Sequence, residues 1–364
     1  MQANNTIRVF LPNALTLTAL TLLAGAARAQ SGYTITDLGS LGGGISQAYA
    51  LNNLGQVVGQ SITADGRLHP FLYTNGAMHD LGNLATQPLP PSQESGVANG
   101  INDSGQIIGS TNNNTGRLNF LDSNGTLQPL NAAGNPQAIN NAGQIVGFGS
   151  HAFLYQNGQT TDLGTLGGGS SVARAINNSG QIAGSSFNAG GGDRAFLYQN
   201  GQMQDLGVPA SSSGAEALGL SDSGEVVGSY NDSDGFERAC SWQNGKITPL
   251  GSFARYTTSN AYGVNKSVVV VGLGPMANGN IEAFVYQNGQ AYDLFAGTGW
   301  NGGIARAINN DGQIVGYGYH NGYKRAFLAT PNAVPAPGSL LTFGLGTGMM
   351  LLAAQRRKRN AAPR

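Results

Sequence analysis

The 364-residue chain is sparing of charge, with 10% charged residues, and rich in glycine, with 57. All 18 acids fall between residues 33 and 330, where only 11 of the 18 bases lie, so that stretch carries a net charge of −7. A negative surface repels phosphate backbones, which excludes nucleic acid as an expected partner. The single cysteine, Cys240, permits no intrachain disulfide. Regular apolar phrases recur throughout the interior, so the glycine content signals a packed repeat rather than low complexity.

In chain order, Arg8, the apolar stretch from Leu15 to Ala24 and the small-residue pattern Ala27-Arg28-Ala29 predict a secretory signal over residues 1–29, cleaved after Ala29. Next comes Y-T-I-T-D-L-G at 33–39, which has strand character and stands before any complete repeat.

A four-part phrase then returns seven times, built on A-x-[A/G]-[I/L/V]-N, a β-branched pair before Gly, A-F-L-Y and D-L-G. The Gly closing the second part falls at 59, 109, 147, 184, 228, 272 and 316. Such a period is the signature of a tandem array of one supersecondary unit. Each unit reads as four short strands. In the first, small residues alternate by two (Ala48/Ala50, Ala98/Gly100, Ala305/Ala307), which places them on one face of an innermost strand where backbones crowd. The segment N-N-x-G-Q follows as a tight turn whose Asn and Gly tolerate positive φ. The β-branched pairs (Val57/Val58, Ile107/Ile108, Val226/Val227) mark the second strand. A-F-L-Y is apolar on both faces and predicts a mid-sheet third strand. Asn-Gly at 75–76, 124–125, 157–158, 200–201, 244–245 and 288–289 predicts a hairpin into the fourth.

The first three strands occur seven times, but this Asn-Gly occurs six times, because the repeat stops after R-A-F-L at 325–328. The missing fourth strand is supplied by residues 33–39. A ring gains by pairing its first strand with its last three, since closure removes an open edge. The expected fold is therefore all-β: a seven-bladed β-propeller over 33–330, closed by its N-terminal strand. A β-solenoid is the alternative.

In an up-and-down blade the N-N-x-G-Q and Asn-Gly turns share one rim. The long, variable loops at 60–68, 83–96, 185–193, 229–237, 252–260, 273–281, 295–303 and 317–324 share the other, where a rigid scaffold would present binding residues. Tyr230, Phe236, Tyr256, Trp300, Tyr319 and Tyr323 lie on or beside these loops, next to polar groups, and predict a ligand-binding rim suited to polysaccharide. Gly297–Gly302 matches G-x-G-x-x-G but is followed by a strand instead of the helix that a phosphate site requires. The acids of Asn231–Glu237 lack EF-hand spacing. His69 and His151 fall in different units, so no metal or cofactor is expected. The Asp of D-L-G (Asp37, Asp80, Asp162, Asp205, Asp293) and the Arg before A-F (Arg194, Arg238, Arg325) recur with the repeat, as scaffold hydrogen bonding does and a unique catalytic constellation does not. Cys240 fills a Phe slot and reads as a buried, inert thiol.

The C-terminus reads V-P-A-P-G at 334–338, an apolar run over 339–354, then Arg356, Arg357, Lys358 and Arg359. Sixteen helical residues would span only about 24 Å against a hydrocarbon core of roughly 30 Å. Segment 331–338 reads as a proline-containing linker, which the resemblance named next makes a sorting motif, and 339–364 as a short apolar segment with a basic tail. This order of elements resembles the PEP-CTERM sorting signal, with Pro335 and Pro337 as its paired prolines and Ala336 where the family carries Glu. That resemblance implies an exosortase-type processing enzyme as partner and a transient membrane tether before release to the cell surface or the extracellular space. The phrases at 151–158 and 162–168 resemble the HAF repeat of bacterial extracellular proteins, which implies export and a repeat fold and supplies no catalytic residues. The expected function is a non-enzymatic, exported surface or matrix module, binding or structural, with exopolysaccharide a candidate ligand. The alternative is a propeller lyase or glycosidase with acids gathered at the axial mouth.

Overall fold

A computed structural model describes residues 32–84, 90, 93–113, 116–250, 257–276 and 279–332. The expected signal peptide, sorting motif and basic tail lie outside them. The chain divides into two units, Met1–Thr330 and Pro331–Arg364. Within the first, every regular element among the described residues is a strand, and the strands form seven four-stranded antiparallel sheets. Blade 1 runs Gly42–Leu51, Val57–Thr63, Leu68–Thr74, Ala77–Asp80, from the axis outward. Blades 2 to 6 follow in order. Blade 7 combines Asn301–Ile308, Ile314–His320 and Tyr323–Pro331 with Tyr33–Asp37 as its outermost strand. The protein is a seven-bladed β-propeller closed by its N-terminal strand.

Closure is built at the seam between the last blade and the first. The Leu38 amide donates to the Ala326 carbonyl at 3.0 Å. The Ala326 amide donates to Ser46 Oγ at 2.9 Å, and Ser46 Oγ donates to the Gly39 carbonyl. Leu38, Ala48, Val57 and Phe71 share one apolar cluster with Val315 and Ala326. A linear solenoid has no such contact between its ends.

The innermost strand departs from the simple alternation that its sequence suggests. Every blade carries a β-bulge between the two small residues: Ala48 pairs with Gly59 and Ala50 with Val58, and the same shift recurs from Ala98/Gly100 to Ala305/Ala307. A bulge sets two residues against one and leaves the extra residue unpaired. The two small residues consequently face opposite sides of the blade. Ala48 packs in the seam with blade 7, whereas Ala50 packs against Val58, Ala98 and Phe120 in the seam with blade 2. The β-branched pair divides likewise, Val57 to one seam and Val58 to the other. Behind the pair, the glycine is forced by close approach: a Cβ on Gly184 would lie 1.9 Å from the Val172 carbonyl oxygen. Blade 5 keeps its volume by a paired exchange, Cys240 for Phe and Trp242 for Tyr, both buried in one cluster. Burial pushes the Cys240 thiol up, so it stays protonated.

The repeating asparagine is also more than a turn former. In N-N-x-G-Q the glycine takes the positive φ, as at Gly55 (76°), while the first asparagine works through its side chain. Asn52 Oδ1 accepts the amides of Leu54 and Gln56, and Asn52 Nδ2 donates to Gln56 Oε1 at 2.7 Å and across to the Asn102 carbonyl of blade 2 at 3.0 Å. The same cross-blade bond links Asn102 to Asn140, Asn140 to Asn177, Asn177 to Ser221, Asn265 to Asn309, and Asn309 to Asn52. A second chain runs outside the first: the Asn53 amide donates to Asp103, Asp103 to Asn141, Asn141 to Asn178, Asn178 to Asp222, Lys266 to Asn310 and Asn310 to Asn53. Both circles are interrupted between blades 5 and 6. Ser221 is too short to reach Asn265 and bonds Ser223 instead, and Lys266 has no oxygen to offer Asp222. The turn of blade 6 also holds Val268 at a φ of 60°, a strained setting for a β-branched residue.

Removing the residues before Ser40 strips blade 7 of its outer strand and exposes the sites of Tyr33 and Leu38, buried side chains worth about 1.5–3 kcal/mol each. The truncated protein is expected to melt well below the full chain by calorimetry, and an unchanged Tm contradicts closure. Asn309→Ala orphans the Asp311 and Gln313 turn amides and leaves the Asn52 carbonyl only its own turn's Gly55 amide, and it is expected to cost roughly 3 kcal/mol in denaturant unfolding. Ser221→Asn, which restores the missing bond, is expected to gain about 1 kcal/mol.

Candidate functional site: the axial cavity

The bulge has a chemical result. The residue between the two small ones is excluded from the ladder, and in all seven blades it lines the axial channel. These residues are Tyr49 and Tyr262, Asn99 and Gln137, Arg174 and Arg306, and Leu218. Both flanking positions repeat in kind from blade to blade, and this one does not. Glu216, Glu237 and Asn260, from the strand ends nearest the long-loop rim, complete a cavity of about 520 Å³. Toward the other rim the channel narrows to a cavity of about 150 Å³, lined by the clasp asparagines and by the apolar residue before each, from Leu51 to Ile308.

Charge in the larger cavity is unevenly partnered. Arg174 stands 4.0 Å from Glu216, across the seam between blades 4 and 5. Glu237 accepts the Asn260 amide at 2.8 Å. Arg306 instead stacks over Tyr262 at 4.6 Å and lies 5.9 Å from the ring of Tyr49. The Nε atoms of Arg174 and Arg306 are both buried without an acceptor. Burial raises the carboxyl of Glu216 above its ordinary range, with Arg174 opposing the shift and Asp193 and Glu237 adding to it. Burial likewise raises the hydroxyls of Tyr49 and Tyr262, so both remain neutral phenols. The set can do two things: grip a polar or charged ligand between guanidinium, phenol and amide groups, or present a carboxyl whose burial favours its protonated form in the same cavity as a second acid.

The aromatic residues singled out from sequence fall into two groups. Trp300, Tyr319 and Tyr323 meet at one end of blade 7, where Asn301 pairs with Tyr319 and His320 with Tyr323. Trp300 is only 7% exposed, stacked 4.5 Å from His320 and packed on Phe295 and Phe327, so its ring belongs to the core. Tyr319 and Tyr323, 47% and 54% exposed, keep surface available, with Lys324 near the first and Arg325 over the second. Tyr230 and Phe236 belong to blade 5, both half-buried: Tyr230 packs on that blade's core and Phe236 lies under the Arg238 guanidinium. Tyr256 lies outside the described residues. None of the other five lines the axial cavity.

The recurring polar residues hold the scaffold. The Asp of D-L-G caps its own turn, as where the Gly207 amide donates to Asp205, and in blades 1, 3, 4 and 7 its carboxylate faces a basic residue just before the third strand's Phe. His69 meets Asp80, His151 meets Asp162, Arg194 meets Asp205 and Arg325 meets Asp37. In blade 5, which lacks that Asp, Arg238 pairs with Asp232 at 2.6 Å. His69 also reaches Glu94, which Arg67 and Asn83 grip in turn, fastening the long connection into blade 2.

No family model matches the chain, and no curated protein does. Among solved structures it is similar to a puromycin-hydrolysing peptidase of Mycobacterium tuberculosis, at 14% identity and a TM-score of 0.48, covering 68% of this chain and 45% of that one. A gluconolactonase of Xanthomonas campestris matches at 11% identity and a TM-score of 0.41, over 84% of this chain and 93% of that one. The Aleuria aurantia lectin matches at 10% identity and a TM-score of 0.34, over 73% of this chain and the whole of that one. The chain thus spans about half the length of the peptidase.

The partnering predicts a titration. The Glu216 carboxyl, followed by carbon NMR, is expected to titrate above free glutamate, and Arg174→Met is expected to move it higher still, because the guanidinium is what holds it down. A value unmoved by that substitution contradicts the pairing.

Proposed function

We propose that the protein is an exported surface or matrix-associated binding module whose axial cavity receives a polysaccharide segment from the long-loop rim. One observation carries this reading: the bulged position of the innermost strand changes chemistry from blade to blade, and in all seven blades it lines the cavity. Positions that only hold blades together repeat, as the clasp asparagines do. Seven dissimilar side chains on one axis make a composite surface with donors, acceptors and two phenol rings, the mixture that sugar hydroxyls and ring faces require. Tyr319 and Tyr323, exposed on the same rim, supply a flanking surface for a longer chain.

Export is supported by residues 1–29, and tethering followed by release by the PEP-CTERM-like ending with Pro335, Pro337 and Arg356–Arg359, which an exosortase-type enzyme would process. The negative propeller disfavours nucleic acid and other densely charged polyanions, so a bound polymer is neutral or sparsely charged.

A second reading rests on the pair Glu216 and Glu237 in the same cavity. A carboxyl raised by burial is suited to give a proton, so a lyase or glycosidase is the alternative function. One experiment separates the two: purified protein incubated with the exopolysaccharide of its host, scoring retention of the polymer and shortening of its chains. Retention without shortening, lost in Tyr49→Ala with Tyr262→Ala, is the expected result. Shortening that disappears in Glu216→Gln establishes the enzyme instead, and no retention refutes binding.

A further inference from the structure

The two arginines of the axial cavity occupy the same bulge position in blades 4 and 7 but differ in what answers their charge. Arg174 has Glu216 at 4.0 Å. Arg306 has no carboxylate within ion-pair distance among the described residues, and Glu216 and Glu237 are engaged by Arg174 and Asn260. Its planar faces are served by Tyr262 and Tyr49, at 4.6 and 5.9 Å. Stacking satisfies the face of a guanidinium and leaves its N–H edge, which is where carboxylates are taken two hydrogen bonds at a time. Arg306 Nε is buried with no acceptor. An uncompensated cation walled by aromatic rings is costly to hold in the free protein, and a ligand anion removes that cost on binding.

We propose that Arg306 is the anion-recognition point of the axial cavity and that the ligand is an acidic polysaccharide, one uronate carboxylate docking on the Arg306 edge between Tyr49 and Tyr262. The inference rests on the axial-cavity reading above and narrows it to a substrate class. Arg174, whose charge Glu216 answers at 4.0 Å, is a less ready acceptor of anions, so a single acidic group per bound segment is recognised. The amides of Asn99 and Gln137, on blades 2 and 3 of the same cavity, suit hydroxyls of the adjoining sugars.

The test uses the full chain and a panel of uronate trisaccharides, each beside its carboxyl-reduced neutral form, measured by titration calorimetry with wild type, Arg306→Gln, Arg306→Lys and Arg174→Gln. At least one acidic ligand is expected to bind about tenfold or more tightly than its neutral form, as a charge-assisted bidentate contact requires. Arg306→Gln is expected to abolish that preference while neutral binding persists, Arg306→Lys to keep part of it, and Arg174→Gln to leave it in place. Persistent neutral binding also certifies that the variants fold. Equal binding of acidic and neutral forms by wild type, or a preference that survives Arg306→Gln, overturns the anion site and leaves the cavity reading standing. Binding of neither form by wild type overturns both.

Discussion

The hydrogen bond from an asparagine side chain to the backbone carbonyl of the next blade is the constraint on which this architecture rests. A blade alone is a four-stranded sheet with two apolar faces, and burial of those faces does not by itself fix the register of one blade against the next. The asparagine supplies that register. Its oxygen fixes its own turn through two amides, and its nitrogen reaches one blade onward, so turn geometry and blade spacing are set by one residue. Because Asn309 closes onto Asn52, the bonds run around the ring in one sense, broken between blades 5 and 6 where Ser221 stands. Burial at the seams then contributes the bulk of the stability, in the register the clasp has defined.

The bulge is the second half of the device. A regular strand would send Ala48 and Ala50 to the same face and leave one seam without its small residue. Inserting an unpaired residue sends one to each side, so adjacent blades approach closely around the whole ring. The inserted residue, freed from both seams, is the one that meets the axis. Scaffold and site are thereby separated at single-residue resolution, and the site position can vary without disturbing the packing beside it.

Departures from the repeat collect in blades 5 and 6. Ser221 and Lys266 break both circles, Val268 sits at strained φ, and Glu225 replaces the turn glutamine with a buried carboxyl that lacks a partner at one oxygen and is raised by burial. The same two blades give the cavity Glu216, Glu237, Leu218 and Tyr262. The departures from the repeat thus fall in the blades that give the cavity both of its glutamates.

The sequence by itself determined the number of blades, the order of strands, the hairpin turns and the closure by residues 33–39, because each depends on periodicity and on local φ preferences that a chain displays directly. It also showed that the Asp of D-L-G and the basic residue before A-F serve the scaffold, since recurrence is visible without coordinates. Only the tertiary structure decided that the small residues face opposite seams, that the asparagine bonds the next blade, and that Trp300 is core while Tyr319 is surface. A bulge shifts strand register by one residue without any mark in composition, and a side chain's partner on another blade lies some 40 positions away, where no local pattern points. The cavity residues carried a signal of the opposite kind: they were the positions that failed to repeat, and only ring closure brought seven such positions onto one axis.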